Sequence, residues 1–400
     1  MKKVLMLGGS IFQIPSIKTA KKMGLYVITC DNIINNPGHK FSDEYYNVST
    51  TDKEAILVLA NKLNIEGIIC YASDPSATTA AFVCEKMGLP TSPYKSIKIL
   101  SNKDLFRNFL RDNNFFVPQA KGYSSIHEAK NDFILFKTPV MVKPVDSSGS
   151  KGVSKVNNLE ELEISIEIAL KFSRVKRFII EEYVNKFGYQ IAGDGFSVEG
   201  ELIFRCFANE HFDSNGKYPF VPIGESWPYV MSEKIQIKIH NEVQRLISLL
   251  KMKNNAYNFD IRIDSQENVY LMEVGPRNGG NFIPQVVKYA TGIDMVEYTI
   301  KSALGEDCKD LRTSSINGFW ACYMIHSDEA GILKDVFIEQ ELKEKNIIEF
   351  EMFSEIGDKV SSFSGSNGTI GFMILKFESS DEMLTKMDNM SEFINIKIAN

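Results

Sequence analysis

Asn258-Phe259-Asp260-Ile261-Arg262-Ile263-Asp264, followed by Tyr270-Leu271-Met272-Glu273-Val274-Gly275-Pro276-Arg277-Asn278-Gly279-Gly280, is the stretch that decides the fold of this 400-residue chain. Two apolar runs flank a polar turn, Ser265-Gln266-Glu267-Asn268, which is the signature of a β-hairpin. Asp260 and Glu273 lie in its two arms, and Arg277 follows just beyond the second. Carboxylates facing each other across paired strands suit a hard cation such as Mg²⁺. An arginine beside them suits phosphate or carboxylate oxygens. The segment from Gly275 to Gly280 is too polar and too loop-like to be turn filler.

Working outward, Pro139-Val140-Met141-Val142-Lys143-Pro144 reads as a strand with a lysine inside an apolar run. Burying an unpaired ammonium is costly, so Lys143 needs an anionic partner, either a protein carboxylate or a bound phosphate. Asp146-Ser147-Ser148-Gly149-Ser150-Lys151-Gly152 follows directly. Its backbone N–H groups and hydroxyls suit phosphate oxygens. The order of a Walker A loop is absent, and the next segment, Val153–Val156, reads as a strand. The helix expected over Leu159–Phe172 leads to strand Arg177–Val184, which ends in Glu181-Glu182-Tyr183-Val184. Those two carboxylates could face solvent or the edge of a purine and its ribose. Earlier, Ser101-Asn102-Lys103-Asp104 opens a helix, with Ser101 as the expected cap and Lys103 in the first turn.

At the N-terminus, strand, helix, strand, helix, strand, helix alternate from residue 3 to Met87, which predicts a parallel sheet. Gly8-Gly9 marks a tight turn at a strand end rather than a full dinucleotide fingerprint. Downstream, strands are expected over Tyr189–Val198 and Leu202–Phe212, then a substrate-facing loop over Asp213–Ser226 and a long helix over Ser232–Met252. From Asn317 the pattern shifts to short strands and a last helix near Asp381, a small α+β appendage. The expected boundaries are 1–92 for an α/β domain, 93–310 for the central region with a small lobe at about 115–184, and 311–400 for the appendage.

A net charge of −6 argues against nucleic acid as the main partner. The six cysteines are scattered without a C-x-x-C pair, which points away from zinc and disulfide frameworks and towards a cytoplasmic location. No stretch approaches the length of a membrane span.

In order, Asn102-Lys103-Asp104 with Arg107, Val142-Lys143-Pro144 with Ser148-Gly149-Ser150-Lys151-Gly152, Glu181-Glu182-Tyr183-Val184, Asp260, and Glu273-Val274-Gly275-Pro276-Arg277 resemble the ATP-grasp ligases over nearly the whole chain. The resemblance implies an α/β N-terminal domain with a parallel sheet, two α+β lobes gripping ATP, and a C-terminal α+β subdomain. It implies Lys103 and Lys143 on ATP phosphates under a loop containing Ser148, Gly149, Ser150 and Gly152. Glu181 and Val184 would meet the adenine through backbone groups, with Tyr183 lining the slot and either Glu182 or Gln190 on the ribose. Asp260 and Glu273 would hold Mg²⁺, with Mn²⁺ as a substitute. The implied chemistry is attack of a carboxylate on the γ-phosphate, with Arg277 and Lys143 stabilising the reacting groups.

Two departures stand out. Gly275 replaces the asparagine of the family's E-x-N-x-R pattern, as the alanine of the carboxyaminoimidazole ribonucleotide synthase branch also does. Gln190 replaces a ribose-binding glutamate. Gly357-Asp358-Lys359-Val360 and Gly368-Thr369-Ile370-Gly371 are similar to the tail of L-amino acid ligases. The resemblance therefore implies an ADP-forming carboxylate–amine ligase acting on small-molecule carboxylate and amine substrates, with a homodimer left open. Its rivals are a bicarbonate-using carboxylase of the purine type, a kinase, and a nucleotide-binding protein without turnover. Arg205, His211, Glu225 and Trp227 are the candidates to line the acceptor pocket.

Overall fold

The computed structural model describes residues 1–213, 216–365 and 368–399. Four parallel strands form the N-terminal sheet, in the order Glu44–Tyr46, Tyr26–Cys30, Lys3–Leu7, Gly67–Ile69. Helices Ile14–Lys22, Lys53–Leu63 and Asp74–Met87 bury their apolar faces against it. Asp74, at the start of the third helix, meets the rest of the chain through Arg277.

The small lobe is a four-stranded antiparallel sheet in the order Ala120–Tyr123, Phe178–Glu182, Val140–Pro144, Ser154–Val156. Strand alternation divides its two faces. Val140, Val142, Phe178 and Ile180 pack with Leu162, Ile166 and Ala169 of helix Leu159–Phe172. Met141, Lys143 and Glu181 project from the other face, into a cleft.

The opposite wall of the cleft is an eight-stranded antiparallel sheet. Its strands run Val269–Gly275, Asn255–Ile263, Gln190–Val198, Glu201–Phe212, Pro222–Trp227, Phe319–His326, Thr369–Phe377, Ile347–Met352. Three C-terminal strands thus extend the sheet that carries the opening hairpin, and a separate three-stranded sheet packs beside them. The expected loop over Asp213–Ser226 is corrected in part. Pro222–Trp227 is a strand paired on both sides, and its Gly and Pro content hid it, while residues 214 and 215 lie outside the described residues. Glu199 and Gly200 take φ of 52° and 87°, as a tight hairpin turn between Gln190–Val198 and Glu201–Phe212 requires. Among the described residues no helix is long and apolar enough to cross a membrane.

Candidate active site

Asp260 and Glu273 face each other directly in the paired strands, with a bulge immediately after Asp260. Asp260 Oδ1 is buried and has no hydrogen-bond partner. Burial pushes this carboxyl up, Arg262 and Lys143 oppose that, and Glu273 adds to it. An orphaned oxygen beside a second carboxylate fits a divalent cation. Among the described residues no three His, Cys, Asp or Glu side chains are placed to hold a metal by themselves. A Mg²⁺ ion here would complete its shell from phosphates and water, as Mg²⁺ commonly does.

Lys103 reaches the same place from helix Lys103–Asp112, whose cap is Asn102 rather than the expected Ser101. The Asn102 side chain accepts from Leu105 N–H, and Lys103 N–H donates to Val145 O at 2.9 Å, which pins the helix start to the phosphate-loop strand. Lys103 Nζ lies 2.9 Å from Glu273 Oε2 and donates to Ser147 O at 2.9 Å. It therefore bridges the metal strand and the loop. Gly149 and Gly152 adopt positive φ, which lets the loop turn back over the cleft.

Lys143 finds a protein partner. Its Nζ lies 2.5 Å from Glu181 Oε1, and Arg107 Nε lies 2.9 Å from Glu181 Oε2. Burial pushes the Glu181 carboxyl up, but Arg107 and then Lys143 outweigh it and hold it at about 2. The Glu181 side chain is thus the anchor for Lys143. Its backbone lies between two ladder partners, Ala120 and Met141. Glu182 accepts Lys137 N–H at 2.7 Å, and its own N–H donates to Gln119 O. Tyr183 N–H donates to Pro139 O, and its ring is flanked by Lys155 and Arg262. Arg262 also donates to Val184 O at 3.0 Å and to Gln190 Oε1 at 2.6 Å, tying the hinge to the hairpin. These groups line a cleft of about 360 Å³ with Met141, Ser148, Gly149 and Ser150.

Arg277 is held from the N-terminal domain. Its Nε donates to Asp74 Oδ1 at 2.8 Å, its Nη2 pairs with Asp74 Oδ2, and its Nη1 donates to Asn278 O. Of five guanidinium N–H groups, these leave two for a ligand. This pair also explains Gly275. A Cβ there would come 3.0 Å from Asp74 Oδ1 and 3.3 Å from Arg277 Cζ. A side chain at this position would press on the Asp74–Arg277 pair. Beyond it, Asp194 accepts Gly279 N–H and the Asn258 amide, fixing the loop after Arg277.

The acceptor candidates separate. Glu225 lines a smaller chamber next to Arg277. His211 lines the cleft wall, but both its ring nitrogens are engaged, by Asp388 of the last helix and by Ser226. Arg205 is a correction: it shares a strand face with Phe207, stacks on that ring, and donates to Gln236 O of the long helix, outside the cleft. Trp227 is another: it is fully buried in the main core and donates to Cys206 O. Both errors came from assigning a face to a strand without its register.

Asp74, Glu210, Arg262 and Asp388 were not singled out from sequence as site residues. Glu210 carried a signal, because a carboxylate closing the apolar run Cys206-Phe207-Ala208 is as unusual as Lys143. Asp74 opens a helix after a parallel strand, a place where ligands bind in such sheets.

Residues 136–285 match the ATP-grasp domain family model. That stretch is an ATP-grasp domain. The carbamoyl phosphate synthase large chain of Thermoanaerobacter sp. (strain X514) is 27% identical over 232 residues, 57% of this chain and 20% of the relative. The chain thus spans about a fifth of the length of that curated relative. The formate-dependent phosphoribosylglycinamide formyltransferase of Prochlorococcus marinus (strain NATL2A) is 24% identical over 98% of both chains. The L-amino acid ligase of Bacillus licheniformis superposes with a TM-score of 0.82 at 20% identity, covering 100% of this chain and 99% of the other. The ATP-grasp layout accounts for the two facing sheets, the loop between strands and the paired carboxylates in one frame.

Proposed function

We propose that this ATP-grasp chain is an ATP- and Mg²⁺-dependent, ADP-forming ligase that joins a small carboxylate, such as an amino acid, to an amine through an acyl phosphate. The observation that carries it is the convergence of Asp260, Glu273, Lys103 and Lys143 on one cleft, with Arg277 at the boundary of an adjoining chamber.

The adenine would sit against Tyr183 and Val184, under the hinge that Arg262 stiffens. Lys103 and Lys143 are already aligned, by Glu273 with Ser147 and by Glu181 with Arg107, so little reorganisation accompanies phosphate binding. Asp260 and Glu273 would hold Mg²⁺, which would neutralise phosphate charge. The loop Ser147–Gly152 excludes water from an acyl phosphate. Arg277 offers its two remaining N–H groups to the carboxylate or its phosphoryl ester, and Asp74 keeps the fork in plane. The two sheets supply Lys143, Asp260 and Glu273, helix Lys103–Asp112 supplies Lys103, the loop after Val269–Gly275 supplies Arg277, and no side-chain nucleophile is required.

The test is an ADP-release screen over amino acids and small carboxylates, singly and paired with amines, with Mg²⁺. Wild-type protein is expected to release ADP with at least one pair, and Glu273→Gln is expected to weaken Mg²⁺-dependent nucleotide binding. Absence of ADP release from every pair, together with nucleotide binding in Glu273→Gln that keeps its Mg²⁺ dependence, rejects the reading.

A further inference from the structure

Next to Arg277 lies a chamber of about 220 Å³, below the ~300 Å³ at which drug-sized ligand pockets begin. It is strongly acidic. Asp74, Glu210, Glu225, Asp260 and Glu273 all line it, against the single guanidinium of Arg277. Asp74 is spent on Arg277, and Asp260 with Glu273 forms the metal pair. Two carboxyls remain, and they too face each other across paired strands: Glu210 stands opposite Glu225. Glu273, Asp260, Gln190, Glu210 and Glu225 come from five successive strands of one sheet. Glu210 Oε2 accepts from the Gln190 amide at 2.5 Å. Glu225 is only 7% exposed, and its Oε2 has no hydrogen-bond partner. Two carboxyls directly opposite on paired strands ionise together only at a cost, and a buried unsatisfied carboxyl oxygen is costly. Such a pair is completed by a cationic donor.

Resting on the ligase reading above, we propose that the Glu210–Glu225 pair is the ammonium site of the acceptor substrate, and that Glu225 takes the proton that frees its amine. The acceptor is then a small molecule carrying a primary ammonium. A divalent cation fits less well, because the Gln190 amide presents N–H donors there and, among the described residues, no three His, Cys, Asp or Glu side chains are grouped to hold a metal.

The proton balance is simple. The ammonium passes one proton to the Glu225 carboxylate. The nitrogen lone pair attacks the acyl carbon, the C–N bond forms and the C–O bond to phosphate breaks. The second nitrogen proton leaves with the phosphate, as hydrogen phosphate. The environment supports a base of this kind. Burial, then Glu210 and Asp194, push the Glu225 carboxyl well above its ordinary range, while Arg277 opposes them and Asp260 adds to them. Cys206 and Cys322, buried close by, are themselves pushed up and stay neutral thiols. A carboxyl raised in this way is, once ionised, a stronger base than an ordinary carboxylate, which favours proton transfer from an amine.

Hydroxylamine is a nucleophile that is neutral at pH 7 and needs no base. Wild-type protein is given ATP, Mg²⁺ and a panel of amino acids and small carboxylates, with either hydroxylamine or an amino-acid amine. Hydroxamate and amide are then measured for the best carboxylate. In Glu225→Gln the ratio of amide to hydroxamate is expected to fall about 100-fold, and Glu225→Asp is expected to recover part of it. An unchanged ratio overturns the inference, and so does loss of both products together, which marks a structural role. If wild-type protein forms neither product with any carboxylate, the ligase reading itself fails, and with it this assignment.

Discussion

Replacing Glu181 with glutamine removes the one negative charge between Arg107 and Lys143 while keeping the side chain's shape. Glu181 is 0% exposed and Arg107 1%, so water cannot compensate the cation left behind. The carboxyl moves from 4.5 when free to about 2 in the fold, which at about 1.4 kcal/mol per pH unit corresponds to about 3 kcal/mol of stability. The ~3–5 kcal/mol that follows breaking one side of a buried ion pair is of the same size. Because the folded value is depressed, this contribution is present above pH 4.5 and is lost as pH falls towards about 2. Urea unfolding of Glu181→Gln at pH 7 should therefore show a loss of about 3 kcal/mol. Arg107→Met should be costly too, because it leaves Glu181 with Lys143 alone. The double variant should cost clearly less than the sum, since neither charge is then stranded. Additivity to within about 0.5 kcal/mol would refute the idea that the triad acts as a unit. Lys143 orientation is the functional corollary: nucleotide affinity should fall in Glu181→Gln even at pH 7.

Two further outcomes follow from other carboxyls. Asp74→Asn keeps the hydrogen-bonding shape but strips the charge from the Arg277 fork, so docking of the N-terminal sheet and its helices should weaken by about 3 kcal/mol; limited proteolysis should then cut that region faster, and an unchanged cleavage rate counts against the tie. Glu210 is pushed up to about 8 by burial and then Asp260, so the native state keeps a proton that the unfolded chain loses, and stability of metal-free protein should fall as pH rises from 4.5 to about 8. Glu210→Gln should flatten that slope in urea titrations, and an unaltered slope rejects the assignment.

The sequence made the local signals plain and the distant pairings invisible. Asp260, Glu273, Lys143 and the Ser147–Gly152 loop announced themselves because each breaks a strand or turn pattern within a few residues. Helix Leu159–Phe172 matched its pattern to the residue. Arg277 was readable, but its partner Asp74 is 203 positions away, and nothing local links them. Gly275 looked like a missing metal ligand until that pair filled the space around it. The Glu210–Glu225 pair needs the register of two strands, one of them concealed by its own proline and glycine. The same lack of register placed Arg205 and Trp227 at a pocket, whereas one faces the long helix and the other fills the core. Polar residues in alternating strands reveal that a face matters; only pairing shows which face it is.

The sheet that holds the paired carboxylates is finished by strands from the far end of the chain: Phe319–His326 hydrogen-bonds to Pro222–Trp227, and Asp388 of the last helix grips His211 in the cleft wall. During synthesis, the strand carrying Glu225 emerges as a bare edge and stays so until the C-terminal strands have left the ribosome. Bare edges recruit foreign strands, so the nascent chain depends on that late segment for protection. A ribosome that stalls after residue 320 would release a protein with most of its cleft residues present and its sheet still open to aggregation.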